Sequence, residues 1–154
     1  MNPQGILDTS TVILLPRLRD ATGLPAVPTI TAVTLAELSV GPLVAQTEVE
    51  RAARQAHLQQ AEADFDPLPF DAAAARAFGQ AAADLRRAGR KTRARAYDAL
   101  IASIAIARGL PVYTVSPADF TGISQLELVE IHHPDRGPWQ QHRVQGRARR
   151  RPFG

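Results

Sequence analysis

Four acidic residues stand at positions where a carboxylate can take part in chemistry. Asp8 directly follows a short apolar segment, and Glu37 lies about two helical turns beyond a second one. Asp98 opens the most apolar helical segment, and Asp119 follows an apolar segment that ends at Val115. In open α/β sheets, functional groups gather beyond the carboxyl ends of the strands. We therefore expect these four side chains to meet at one edge of a sheet.

Four carboxylates at one place favour a divalent cation. Neighbouring carboxylates repel one another and raise one another's pKa, so a cluster stays ionised at neutral pH mainly when a cation neutralises it. Hard oxygen ligands select Mg²⁺ or Mn²⁺ over zinc. Such a cation lowers the pKa of a bound water, orients it for in-line attack and shields a scissile phosphate.

Each acid also has a purely structural interpretation. Asp8 could cap the helix that follows it, and Glu37 could complete a capping box with Thr34. Asp98 could stabilise the positive end of a helix dipole, and Asp119 could stabilise a turn. Four such roles at the same sheet edge are a less economical explanation than one shared site.

The elements that must position these acids alternate between short strands and helices. Strands are predicted around 5–7, 29–30, 111–115 and 126–131, and helices after Asp8, from Ala32 to Gly41, over 47–64, from Ala72 to about Ala88 and from Asp98 to Arg108. This alternation predicts an α/β fold, a three-layer α/β/α domain with a mostly parallel sheet. We assign residues 1–135 to this domain and 136–154 to a basic, flexible C-terminal tail.

Composition excludes several classes of protein. The chain has 154 residues, 45% of them hydrophobic, which suits one globular domain. It has no cysteine, so disulfide frameworks, thiolate metal sites and cysteine nucleophiles are excluded. The apolar run from Ala99 to Ala107 is too short to span a membrane, and the first residues lack the pattern of a signal peptide. We expect a cytoplasmic protein with no membrane partner.

Positive charge is concentrated in two segments. The chain has a net charge of +3, yet six arginines and no acid follow Asp135, so the rest of the chain is net negative. A second basic segment, here called the basic ridge, lies just before Asp98 and consists of Arg86, Arg87, Arg90, Lys91, Arg93 and Arg95. This charge favours a polyanion partner such as nucleic acid, and if that partner is RNA, the ridge is predicted to contact its backbone; a solvated helix face is the alternative.

The order of these segments resembles the PIN-domain ribonucleases, and among them the VapC-like toxins of toxin–antitoxin modules. The resemblance runs from residue 5 to about 131. The matching segments are Ile6-Leu7-Asp8-Thr9-Ser10, Thr31-Ala32-Val33-Thr34-Leu35-Ala36-Glu37-Leu38 with Gly41, Tyr97-Asp98-Ala99-Leu100-Ile101-Ala102, and Thr114-Val115-Ser116-Pro117-Ala118-Asp119-Phe120.

The resemblance implies a role for each matching residue. Asp8 and Asp98 would be the principal metal ligands, and Glu37 and Asp119 the further catalytic acids. Ser10 and Thr114 would be supporting hydroxyls near the metal's waters. Many relatives carry Asn or Asp where this chain has Ser116, which weakens the case for a fully occupied second metal position.

The resemblance also implies an activity and partners. Family members are Mg²⁺-dependent endoribonucleases, with Mn²⁺ expected to substitute, and the toxins cleave tRNA or rRNA and so inhibit translation. They are usually homodimers and are inhibited by a VapB-like antitoxin, in heterotetramers or larger assemblies. Two alternatives remain open: a housekeeping PIN-domain nuclease of RNA processing, and a non-catalytic RNA-binding module of the same fold.

Overall fold

A four-stranded parallel sheet forms the centre of the computed structural model, which describes residues 3–18, 21–91 and 95–136. The strands are β1 (Gln4–Leu7), β2 (Val27–Thr29), β3 (Val112–Thr114) and β4 (Leu128–Glu130). Their order across the sheet is β2-β1-β3-β4, and every neighbouring pair is parallel. The predicted parallel α/β sheet is thus confirmed.

Five α-helices connect the strands in the part of the chain that the structure describes. They are α1 (Thr9–Leu14), α2 (Ala32–Val40), α3 (Glu48–Asp64), α4 (Ala72–Arg87) and α5 (Ala96–Arg108). Short 3-10 turns follow α1 and α2, and another, from Pro117 to Phe120, follows β3. A proline stands at the start of each of these turns, where its missing N–H costs no hydrogen bond.

The helices cover both faces of the sheet, which gives the predicted three layers. Successive residues of β1 point to opposite faces, so Ile6 and Leu7 belong to two different apolar clusters. The cluster around Ile6 contains the buried side chains of α4 and α5. The cluster around Leu7 contains residues of α1, α2 and α3. The carboxyl ends of β1 and β3 therefore open between two helical layers.

Side-chain caps fix the starts of α1, α2, α3 and α4, and one structural alternative considered from the sequence does not hold. Asp71 accepts a hydrogen bond from the N–H of Ala74 and begins α4 where the sequence predicts it. Helix α2 is capped by Thr31, which accepts from the N–H of Thr34. The capping box expected from Thr34 and Glu37 does not form, because the helix begins one turn earlier and Thr34 is already inside it.

Other boundaries differ from prediction by one to three residues. Helix α5 begins at Ala96, so Asp98 lies in its first turn rather than at its start. Strand β2 ends at Thr29, and the segment after it forms an isolated parallel bridge between Thr31 and Leu68. Strand β4 spans Leu128–Glu130 within the predicted 126–131. Differences of this size are common at the ends of helices and strands, where the hydrogen-bond pattern begins or stops gradually.

The predicted tail contributes Arg136 to the described residues, and its remainder lies outside them. The domain boundary at residue 135 therefore stays a prediction. Among the described residues, none of the helices is both long and apolar enough to cross a bilayer.

Candidate active site

Asp8 lies at the carboxyl end of the central strand β1 and is almost completely buried, with 2% of its surface exposed. One carboxylate oxygen accepts the N–H and the hydroxyl of Thr11, so Asp8 does cap α1. The other accepts the hydroxyls of Ser10 at 2.9 Å and Thr114 at 2.8 Å. Both predicted supporting hydroxyls therefore contact Asp8. The cap and the site role coexist in one side chain, because the strand ends where the helix begins.

Glu37 reaches the same place from the middle of α2. Its Oε1 accepts a hydrogen bond of 2.7 Å from the hydroxyl of Thr9. Thr9 and Thr34 hydroxyls lie 2.9 Å apart, and since Thr9 gives its proton to Glu37, Thr34 donates to Thr9. Burial raises the pKa of Glu37, the Thr9 hydrogen bond lowers it, and the negative charge of Asp8 raises it. Glu37 and Asp8 therefore interact electrostatically.

Asp98 is the carboxylate that is most affected by the other three. Burial at the start of α5 is the largest cause that raises its pKa, to about 6. The charges of Asp119, Asp8 and Glu37 contribute to this rise, in that order, while Arg95 lowers the pKa. Because these charges act on one group, the structure brings the four predicted acids together from four separate segments of the chain.

Asp119 lies in the 3-10 turn that follows β3, and its carboxylate is bonded to a side chain of α5. The Nη1 atom of Arg95 lies 2.6 Å from Oδ1 of Asp119 and 3.7 Å from Oδ2 of Asp98. The turn itself closes through the backbone, where the N–H of Asp119 donates to the carbonyl of Ser116. Its side chain is therefore directed to the other acids and is not used to close the turn.

Half of the basic ridge contacts the fold itself. Arg95 pairs with Asp119, Arg87 pairs with Asp84 at 2.9 Å, and Arg90 donates to the carbonyl of Ala118 at 2.7 Å. Arg86 and Lys91 show no side-chain ion pair or hydrogen bond with another described residue. Arg93 lies outside the described residues. The prediction that the ridge contacts RNA thus stays a prediction, and it is strongest for Arg86 and Lys91.

The donor chemistry of this site fits a hydrated Mg²⁺ or Mn²⁺. All of the candidate donors are carboxylate and hydroxyl oxygens, which these hard cations prefer. Within 3–18, 21–91 and 95–136, no group of three or more His, Cys, Asp or Glu side chains is arranged to hold a metal by itself. Mg²⁺ is commonly bound through one or two carboxylates and keeps several waters, so a looser group of acids suits it.

Asp8 places a condition on cation binding. Its two oxygens together accept four hydrogen bonds, which fills the acceptor capacity of a carboxylate. A cation at Asp8 therefore has to replace one donor. Thr11 and Thr114 are fully buried, whereas Ser10 is partly exposed, so Ser10 has the room to turn away.

Three hydroxyl residues of the site are not among the residues predicted from the sequence. Thr11 bonds to Asp8, and Thr9 and Thr34 form the pair that holds Glu37. A usable signal is the run Thr9-Ser10-Thr11 directly after Asp8, where three adjacent hydroxyl residues begin a helix. Thr34 has no such signal, because its partner is 25 residues away.

Comparison with known proteins identifies the family of this chain. The family model described as the PIN domain matches residues 6–115, which include three of the four acids. Among curated proteins, the chain is 41% identical over 129 residues to Ribonuclease VapC5 of Mycobacterium tuberculosis, a match that covers 82% of this chain and 93% of that protein.

Solved structures give the same result. The chain is similar to a chain of VapBC-5, a VapBC toxin–antitoxin complex from Mycobacterium tuberculosis, with a TM-score of 0.72, 37% identity, and coverage of 84% of this chain and 100% of that one. It is also similar to a chain of DNA-bound VapBC from Salmonella typhimurium, with a TM-score of 0.68, 25% identity, and coverage of 82% and 97%. Both matches support the described fold.

Proposed function

The chain belongs to the PIN-domain family, and from this premise we propose that it is a metal-dependent endoribonuclease, the toxin of a type II toxin–antitoxin system. The observation that supports this most directly is Asp98, whose pKa is raised by burial and then by the charges of three acids from other segments. The 41% identity to a protein named as a ribonuclease supports RNA as the substrate.

We propose Mg²⁺ as the cofactor, with Mn²⁺ able to substitute. Asp8 and Asp98 would hold the ion directly, and Glu37 and Asp119 would bind its waters. When bound, the ion supplies Lewis acidity toward the scissile phosphate and toward a water nucleophile. The four carboxylates alone would repel a phosphate, so they become a phosphate-binding site only when a cation offsets their charge.

Glu37 is the acid best placed to take a proton from an attacking water. Thr9 holds its Oε1, which leaves Oε2 to accept the proton. Its pKa is raised by burial, so it is a better base than an exposed glutamate. Thr11 and Thr114, which are both fully buried, fix the carboxylate of Asp8, which keeps its orientation when the substrate binds.

The proposed substrate is tRNA or rRNA, whose cleavage would inhibit translation in the cytoplasm. Arg86 and Lys91, at the end of α4 and just after it, supply positive charge beside the element that carries Asp98. Lysine and arginine at such positions bind phosphates without reading sequence. The choice among RNAs would then depend on the shape of the substrate around the site.

The proposed partners are a VapB-like antitoxin and a second copy of the chain, in a heterotetramer or larger assembly. The similar solved structures are toxin–antitoxin complexes, which supports a partner of this kind. A groove of about 350 Å³ lies beside Glu37, between α1, α2 and α3. It is lined by Thr9, Ile13, Glu37, Leu38, Gly41, Arg54 and His57. A peptide segment in this groove would block access to Glu37.

Cleavage of purified RNA tests the activity. The chain should cleave total RNA with Mg²⁺ or Mn²⁺, and EDTA should stop the reaction. Asp98→Asn should lower the rate by at least about 100-fold, because a neutral amide is a poor cation ligand. Glu62→Gln, on the exposed side of α3, is the control and should cleave like the wild type. Equal cleavage by Asp98→Asn and wild type would contradict the proposal.

Expression in a host without the antitoxin tests the toxin role. Growth should stop, and mapping of new RNA 5′ ends should place them in tRNA or rRNA. Co-expression of a small antitoxin-like protein from a neighbouring reading frame should restore growth. New ends confined to RNA precursors, with unimpaired growth, would instead favour the housekeeping nuclease.

A further inference from the structure

One guanidinium group joins two of the four acids in this structure. The Nη1 atom of Arg95 lies 2.6 Å from Asp119 and 3.7 Å from Asp98. These three side chains are 35%, 32% and 25% exposed, respectively, so the contact is only partly screened by water. The positive charge of Arg95 therefore neutralises part of the acid cluster.

The backbone fixes this arrangement at both ends. Arg95 precedes Asp98 by three residues at the start of α5, a spacing that places two side chains on the same helix face. Asp119 is brought to that face by the turn after β3, and Arg90 holds the turn through the carbonyl of Ala118. Arg95 thus contacts carboxylates from two segments that are distant in the sequence.

We propose that Arg95 is an internal counter-ion of the site, which occupies Asp119 and Asp98 in the metal-free protein and competes with a divalent cation for them. This inference rests on the proposed metal dependence. A divalent cation that approaches these carboxylates is repelled by the guanidinium, which keeps its charge at every accessible pH. The divalent cation then binds only as Arg95 moves away from the carboxylates.

Arg95 could instead support metal binding, and this alternative predicts a change in metal affinity of the opposite sign. Arg95 could orient Asp119 so that its free oxygen faces the cation, and its removal would then weaken metal binding. A competing arginine instead strengthens metal binding when it is removed. The sign of the change in metal affinity therefore separates the two roles.

Calorimetric titration of the RNA-free protein with Mn²⁺ measures that sign. At pH 8, which is above the pKa of Asp98, the Kd of Arg95→Gln should be lower than that of the wild type by at least about threefold, the order expected for a partly exposed ion pair. Arg95→Lys keeps a charge and should stay within about twofold of the wild type. Arg76→Gln is the matched control, because it removes one charge from an exposed position on α4 and touches neither the acids nor the turn that carries Asp119.

Thermal unfolding supplies a second readout that does not depend on catalysis. Without metal, Arg95→Gln should melt below the wild type, because the repulsion between Asp98 and Asp119 is no longer offset. Saturating Mn²⁺ should raise its melting temperature by more than it raises that of the wild type or Arg76→Gln.

Two results contradict the inference in distinguishable ways. If the wild type binds Mn²⁺ and Arg95→Gln binds it equally or more weakly, competition by Arg95 is wrong while the metal site stands. If none of the proteins binds Mn²⁺, the proposed metal dependence fails and the competition fails with it.

Discussion

The carboxylate of Asp98 opposes folding when no cation is present. Its folded-state pKa of about 6 lies above the value of about 3.9 for an unfolded chain, so the folded state binds more protons between these limits. The free energy of unfolding therefore falls as the pH rises through this window and stays low above it. The charge with which Asp98 would bind a cation therefore lowers the stability of the metal-free fold.

Replacing that charge should stabilise the metal-free fold. In EDTA at pH 7.5, we expect Asp98→Asn to raise the free energy of unfolding by ~1–2 kcal/mol, and the gain should be smaller at pH 4.5. Urea denaturation at both pH values measures it, with Glu62→Gln as the exposed control. A variant less stable than the wild type at pH 7.5 would show that the burial and repulsion at Asp98 are offset by contacts the amide loses.

The hydroxyl of Thr114 should matter more than its methyl group. It donates to Asp8 and accepts the N–H of Ser116, and the side chain is fully buried. Thr114→Val leaves both partners short of a hydrogen bond, so we expect a loss of ~1–3 kcal/mol in the free energy of unfolding. Thr114→Ser keeps the hydroxyl and should lose less. The urea midpoints of the two variants make the comparison, and a smaller loss for valine would contradict it.

The acids were predictable from sequence, but most of their partners were not. Asp8, Glu37, Asp98 and Asp119 each follow a recognisable element, so local patterns and one rule of sheet topology place them together. Arg95 belongs to a run of basic residues that suggests RNA, and its contact with Asp119 depends on a turn 24 residues away. Such contacts follow from tertiary packing, which no local pattern records.

At the scale of elements, helix ends are predicted best from the sequence where a single residue terminates or caps the helix. Gly109 ends α5 with φ +63°, a conformation that glycine adopts without steric cost, and Asp71 begins α4 with its side chain. At α2 the capping residue is Thr31, which lies in extended backbone and forms a bridge with Leu68, a contact that the local sequence does not show.

The carboxylate of Asp84 on α4 holds the loop before β4 through hydrogen bonds from Ser124. Asp84 accepts the N–H and hydroxyl of Ser124, and these hydrogen bonds are the main cause of its lowered pKa, about 2. Gly122 in this loop has φ +100°, and a Cβ atom there would lie 2.8 Å from the Cβ of Ala88. The loop therefore fits closely against the end of α4.

Low pH should weaken the hydrogen bonds by which Asp84 holds Ser124. A folded-state pKa below the unfolded value gives stability that is present above about pH 4 and lost as the pH falls toward 2. We expect Asp84→Asn to lower the melting temperature at pH 7 and to narrow its difference from the wild type near pH 2.5. Asp64→Asn, at the exposed end of α3, is the control. A difference that does not depend on pH would contradict the assignment of this stability to the charge of Asp84.

At the scale of the whole molecule, opposite charges lie side by side. The acid cluster occupies the carboxyl edge of the sheet, and the basic ridge runs toward it from α4. Three ridge arginines are used within the fold, on Asp84, Asp119 and the carbonyl of Ala118. The charge that remains for an RNA backbone is therefore smaller than the composition of the ridge suggests.

The salt dependence of RNA binding measures how many positive charges of the ridge contact RNA phosphates. In EDTA we expect the ridge to bind RNA without cleavage, and Arg86→Gln/Lys91→Gln should weaken this binding and reduce the slope of log K against log salt by about 1.4, since each phosphate contact to a single strand contributes about 0.7. The matched control, Arg51→Gln/Arg76→Gln, removes the same charge from exposed positions on α3 and α4 away from the acids. If both double variants lower the slope equally, the attraction comes from net charge, and the ridge has no particular contact with the RNA.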